Sequence, residues 1–205
     1  MNVYVESNFI LELAWMQEQH ESCEKILALC QDQQVTLIIP AYSFGETYET
    51  LGRHQKNRRL LNTALETELK QLKRSHLHKD KIESYQMISV LLESDAEENQ
   101  SFLQSHRRLL ELAEIIPLTK DILLAAQTSP KLNSPQDSIV YASVLQYLNQ
   151  HNNEPSCFIN KNSKDFNDPD VIDELNSNNC KLLSSFNDGY GYIRATIDNN
   201  SGTNL

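Results

Sequence analysis

Short apolar runs of strand length alternate with segments of helical periodicity, and this alternation constrains the fold more than any other property of the chain. Residues 2–6 (NVYVE), 35–40 (VTLIIP), 156–160 (SCFIN) and 180–185 (CKLLSS) read as short buried strands. Between the first two, Ser7 or Asn8 can cap a helix with apolar residues at 10, 11, 14, 15, 23, 26, 27 and 30. A second helix is expected from about residue 42, after Pro40 stops its strand. The stretch 55–115 holds no Pro or Gly, and its apolar spacing predicts a hairpin or array of helices with breaks near 76–80 and 94–99. IIPL (115–118) reads as an extended link, and 119–127 as a short helix. Ser134 and Pro135 mark the cap and first turn of a helix running to about Gln150, and an Asp/Asn-rich helix is expected near 169–178. Strand–helix alternation implies a three-layer α/β/α sandwich: a mainly parallel sheet of four to five strands covered on both faces, with an extended helical middle section. One domain over 1–194 is expected, with 195–205 a disordered tail.

Composition narrows the function classes. The chain has 205 residues, 40% of them hydrophobic and 22% charged, enough for a core without disulfides. Its five glycines are scattered and form no phosphate-cradling loop. Cys23, Cys30, Cys157 and Cys180 form no CxxC pair and read as reduced, mostly buried thiols of a cytoplasmic protein. No apolar run approaches the length of a membrane span, and the N-terminal residues lack the basic leader of a signal peptide. The net charge is −10, yet residues 53–81 hold nine Lys/Arg against three Asp/Glu. That local balance of +6 leaves −16 for the rest of the chain. Arg53, Lys56, Arg58, Arg59, Lys73 and Arg74 are therefore candidate phosphate contacts on an otherwise acidic molecule.

Four acids stand at places where a parallel sheet could gather them. Glu6 follows the first strand directly, Glu46 lies in the early turns of the helix after the second, Asp137 in the first turn of its helix, and Asp165 in the loop after SCFIN. Ligand sites of open parallel sheets form at the carboxyl ends of strands. Taken singly, each acid is equally well a surface residue or a helix-dipole partner. Gathered, they would repel one another unless a hard cation such as Mg²⁺ or Mn²⁺ lay among them.

The neighbours of these acids carry a family resemblance. VYVESNFILELA resembles the opening of a PIN-domain nuclease, in which a strand ends in an acid followed by Ser/Thr and Asn. GETYETL, QDSIVYASVLQY and FINKNSKDF resemble the second, third and fourth motifs in their order. The resemblance covers residues 2 to about 185, with a longer helical middle than compact members have. It implies Mg²⁺- or Mn²⁺-dependent hydrolysis of phosphodiester bonds in RNA, single-stranded by preference. Glu6, Glu46 and Asp137 would hold the metal, Asp165 would complete the acidic pocket, and Asn8 would orient Glu6 or meet the phosphate. Ser7, Asn160 and Asn162 are further polar candidates. Small members are often the toxin half of a toxin–antitoxin pair and homodimers are common among them, so an antitoxin or other protein partner and a second copy belong to the expectation.

The chain departs from the family pattern at two places. The first acid is usually Asp and here is Glu6, and the fourth motif has Asn160 and Asn162 where Thr and sometimes Asp are found. The competing reading is a weak or inactive PIN-like module that binds RNA or a protein partner. A structural role in a larger complex, with 55–115 as the interaction element, is a third. His76 and His78, two residues apart, face different ways on a helix and read as loop residues rather than metal ligands. Ser43 lacks a nucleophile-elbow setting, and Trp15 and the tyrosines at 42, 48, 85, 141 and 147 read as packing residues.

Overall fold

Strand β1 (Asn2–Val5) is buried along its whole length, which places it at the middle of the sheet. In the computed structural model, which describes residues 1–75, 87–128, 132, 134–151, 154–161 and 166–202, β1 pairs in parallel with β2 (Thr36–Pro40) on one side and β4 (Ser156–Ile159) on the other. Strand β3 (Glu114–Ile116) adds to β2 and β5 (Cys180–Leu183) to β4, giving a five-stranded parallel sheet in the order β3-β2-β1-β4-β5. The IIPL segment is thus a strand at the sheet edge rather than a link. Three residues give too weak a periodicity to announce a strand, and pairing with β2 supplies the hydrogen bonds that make it one.

Alternate residues of the strands feed two separate cores. Val3, Val5, Leu37, Ile39, Cys157 and Ile159 face helices α1 (Ser7–Ala14), α2 (His20–Gln31) and α8 (Phe186–Gly202). Tyr4, Ile38, Phe158 and Cys180 face α5 (Lys120–Thr128), α6 (Pro135–Gln150) and α7 (Pro169–Ser177). Side chains alternate across a pleated strand, so each face needs its own cover, and three layers result. All four cysteines are unpaired, three of them buried. Among the described residues, no helix is long and apolar enough to cross a membrane.

The expected single helix from residue 7 or 8 to about 30 is two helices. The backbone turns after α1 through Met16, at φ 48°, and α2 starts at His20. No Gly or Pro announces this turn. It is held instead by Glu12, whose buried carboxylate accepts the Gln19 backbone N–H at 2.9 Å and pairs with Lys161 beyond β4. Gln19 in turn accepts the Phe186 backbone N–H at 2.7 Å through its side-chain oxygen, tying the turn to α8.

The middle section is α3 (Ala41–Leu72) followed by α4 (Met87–Leu112). The break expected near 94–99 is absent, for α4 runs through it. Asp95 and Glu98, within that stretch, reach across to Arg58 of α3 at 2.8 and 2.7 Å. The other expected break, at 76–80, lies outside the described residues, as do His76, His78 and Tyr85. Where α4 meets α3, His106 is buried against Phe102, Phe44 and Tyr48, and its ring bonds Thr47 at 2.9 Å.

Residues 195–202, expected in a disordered tail, belong to α8; 203–205 lie outside the described residues. Phe186 of this helix packs edge-on to Phe9 at 5.4 Å, and Ile193 is fully buried. Two glycines weaken the helical signal, but one has a packing reason. A Cβ on Gly189 would lie 2.4 Å from Cδ1 of Ile159 and 3.1 and 3.2 Å from its Cγ atoms, so α8 approaches β4 only because none is there. Gly191 has nothing within 4 Å of the equivalent position. Gly189→Ala is therefore expected to lower stability by about 1–2 kcal/mol, overpacking outweighing the gain in helix propensity. Gly191→Ala should raise it by up to about 1 kcal/mol. Thermal melts of the two variants check the pair, and equal shifts would refute the close approach.

Candidate metal and nuclease site

The carboxyl end of β1 collects three of the four acids. Glu6 follows Val5 at the N-cap position of α1, but its side chain makes no capping bond and turns inward. It is 5% exposed; Oε2 accepts the Ser7 hydroxyl at 2.6 Å, and Oε1 is buried without a hydrogen-bond partner. A buried, unpaired carboxylate oxygen is costly, on the order of 1–3 kcal/mol or more. The last registered pair of the two strands is Val5 with Ile159, and Glu6 and Asn160 each follow directly after it. Asn160 is buried, and its backbone N–H donates to the Leu183 carbonyl at 2.9 Å.

Glu46 comes from α3, which opens directly after Pro40 ends β2. Asp137 comes from the first turn of α6, where Ser134 caps the helix by accepting the Asp137 backbone N–H at 3.3 Å and Pro135 opens it. That cap fixes the entry angle of α6, and so the position of the Asp137 carboxylate, as the Ser-Pro signal in the sequence implied.

The three acids share one electrostatic environment. Burial pushes the Glu6 carboxyl up from its ordinary range; the Ser7 hydroxyl and the Asn8 backbone and side chain pull it down, and Asp137 pushes it up. Burial also raises the Glu46 carboxyl, to about 7, with Glu6 and then Asp137 adding to the rise and Ser7 opposing it. The Tyr42 phenol is raised by burial and by Glu46, Glu49 and Asp137, so Tyr42, which packs against the core as expected, also borders the acids. Ser7 and Asn8 both act on Glu6, through the Ser7 hydroxyl and the Asn8 backbone and side chain. Among the described residues, no group of three or more His, Cys, Asp or Glu side chains has the spacing of a preformed metal site. Asp165 and Asn162 lie outside the described residues. The donors at hand are nonetheless all oxygen, one of them orphaned, and two of the carboxyls are raised toward neutrality by burial and mutual repulsion. That chemistry fits a hard divalent cation, which prefers oxygen ligands and favours the charged form of each.

The candidate phosphate contacts separate by position. Arg58 is engaged by both carboxylate oxygens of Glu98 and by Asp95, with its side chain 23% exposed. It serves the α3–α4 contact and is withdrawn from phosphate, since releasing it would leave two acids facing each other. Arg53, Lys56 and Arg59 are accessible, and the last two line a shallow groove with Gly52, Gln55, Leu60 and Thr63. Arg53 follows Glu46 by seven residues, two turns of helix or about 10 Å. Lys73 and Arg74, exposed at the far end of α3, are about 40 Å from Glu46 along the helix. Of these cations, Arg53 and Lys56 stand nearest Glu46 along α3.

Sequence reasoning missed the Glu12–Lys161 pair and the cavity beside Asn160. Lys161 stands within the fourth motif, but Glu12 has no local pattern to flag it, since only folding brings residues 12 and 161 together.

No curated protein and no solved structure matches the chain. A family model, the PIN domain, matches residues 3–166, from the first residues of β1 to the end of the fourth motif. Members of that family are generally metal-dependent nucleases, typically ribonucleases using Mg²⁺ or Mn²⁺. The match spans β1 to β4 and all three acids gathered at the carboxyl end of β1: this chain belongs to the PIN domain family.

Proposed function

We propose that the protein is an endoribonuclease that hydrolyses phosphodiester bonds of single-stranded RNA with Mg²⁺ or Mn²⁺. The observation that carries this reading is the coupling of Glu6, Glu46 and Asp137 at the end of β1, with a buried Glu6 oxygen lacking a partner. Glu6, Glu46 and Asp137 would hold the cation, and Asp165 would complete the set. When bound, the cation would polarise the phosphoryl oxygen and acidify the attacking water. Ser7 and Asn8 keep the Glu6 carboxylate in place through the hydroxyl and amide that favour its charged form. Arg53 and Lys56 offer positive charge to the strand on the α3 side of the acids. Glu6 in place of Asp carries its carboxylate on one more methylene, and its burial restrains the added freedom.

Cleavage of single-stranded RNA by the purified protein tests the reading. Activity should require Mg²⁺ or Mn²⁺ and fall at least about 100-fold in Asp137→Asn, because a ligand lost from such a site misplaces the reacting groups. Cleavage that survives both chelation and this substitution would overturn the mechanism.

A second reading is favoured by the absence of a preformed three-residue metal site among the described residues: a PIN-fold module that binds RNA or a protein partner, such as an antitoxin or a second copy, without cutting. Such a module would bind RNA with a salt-dependent affinity but gain no stability from Mn²⁺.

A further inference from the structure

A cavity of about 460 Å³ opens one strand away from the acids, between the carboxyl ends of β4 and β5 and helix α7. Asn160 links it to the site: it lines the cavity and follows Ile159, the strand partner of Val5, as Glu6 follows Val5. Its remaining lining is of two kinds. Phe166, Ile172 and Leu182 give apolar walls; Asn167, Asn176, Lys181 and Ser184 give polar ones. Ile172 and Asn176 are four residues apart on α7 and so share one face of that helix, an apolar wall beside an amide. Asp168 caps α7 by accepting the Asp170 backbone N–H at 2.9 Å, with Pro169 in the first turn, which makes this wall a rigid one.

We propose that this cavity receives a nucleobase of the RNA next to the cleaved phosphate, and that its amides make adenine the preferred base. The proposal rests on the nuclease reading for the word "cleaved" and on the cavity alone for the base. Single-stranded RNA is recognised through unstacked bases turned out of the strand, held between apolar surfaces and hydrogen-bonded along their edges. Apolar side chains with amides beside them suit such a base, and a cavity of this size falls in the range of small-ligand sites. A side-chain amide offers one donor and one acceptor side by side, which complements the amino group and ring nitrogen of adenine; pyrimidines offer a similar edge but a smaller ring face to the apolar walls. Guanine would call for a paired cation instead. The cation present, Lys181, has its ammonium 4.8 Å from the Tyr192 ring centroid, a contact that turns it toward α8. The sugar–phosphate of such a nucleotide would lie across Asn160 toward Glu6, and the chain would continue toward Arg53 on the other side of the acids.

Two measurements separate this proposal from the nuclease reading. Without metal, binding of the four nucleoside 5′-monophosphates is followed by NMR shift titration. Adenosine monophosphate should bind at least about tenfold more tightly than the uridine and cytidine forms, and the Asn167→Ala, Asn176→Ala double variant should bring all four within about threefold. With Mn²⁺, cleavage of a randomised single-stranded RNA should show adenine enriched at one position beside the cut, and the double variant should lose the enrichment while keeping its Mn²⁺-dependent thermal stabilisation. Equal binding of the four nucleotides, or a preference untouched by the double variant, overturns the proposal even where RNA is cut. Adenosine preference without cleavage overturns the nuclease reading and upholds the cavity.

Discussion

Glu46→Gln is expected to make the protein inactive and, at alkaline pH, more stable. Glu46 titrates near 7 in the fold against about 4.5 in an unfolded chain, because burial and the nearby Glu6 and Asp137 disfavour its charge. A raised carboxyl stabilises the fold fully below its unfolded value, and that contribution disappears as pH rises through the folded value. The metal-free protein should accordingly lose stability between about pH 4.5 and 7.5 on account of this residue. Glutamine carries no charge to be penalised. After allowance for partial solvent access, the variant should gain about 2 kcal/mol at pH 8. At pH 4 the two should be nearly equal, since Glu46 is then neutral as well. Chemical denaturation at both pH values with chelator present measures the difference. RNA cleavage should fall at least about 100-fold in the same variant. A Glu46→Gln protein less stable than the parent at pH 8 would show that the carboxylate is held charged by a partner, and the site would need a different description.

The second large effect is the response of stability to Mn²⁺. A working site should gain about 2.7 kcal/mol when free metal stands at 100 times its dissociation constant. In a domain of this size that raises the melting temperature by roughly 5–10 °C. The gain should be larger at pH 8 than at pH 5.5, because metal must displace protons from Glu46 and from the still more deeply buried Glu6. Differential scanning fluorimetry across a metal series at the two pH values reads this directly, with Asp137→Asn as the variant that should flatten it. No shift at either pH would favour the module that binds without cutting.

Several features of the site are legible in linear order and others are not. Ser134-Pro135 before Asp137 fixes a helix start locally, through one capping bond and one restricted dihedral, and so survives translation from sequence to structure. Glu6 at a strand end is legible for the same reason, since the strand's burial is written in VYV. The raised Glu46 is not, because its shift comes from burial in the fold and then from Glu6 and Asp137, 40 and 91 positions away. Arg58 illustrates the converse error. It counts among the basic residues of 53–81, yet its partners Asp95 and Glu98 lie on another helix and remove it from the free positive charge.

Local patterns in the chain account for the α/β alternation, the covered parallel sheet, the cap of α6, and the placement of the acids at strand ends and helix starts. Each follows from local periodicity or a bond spanning three residues. Long-range packing settles that α1 and α2 are separate, that β3 is a strand, that α4 continues through its acidic stretch, and that α8 presses a glycine onto Ile159. In each of these the local signal is weak or contrary. The deciding energy comes from partners far along the chain: Glu12 with Lys161, β2 with β3, Arg58 with Glu98, and Gly189 with the face of β4.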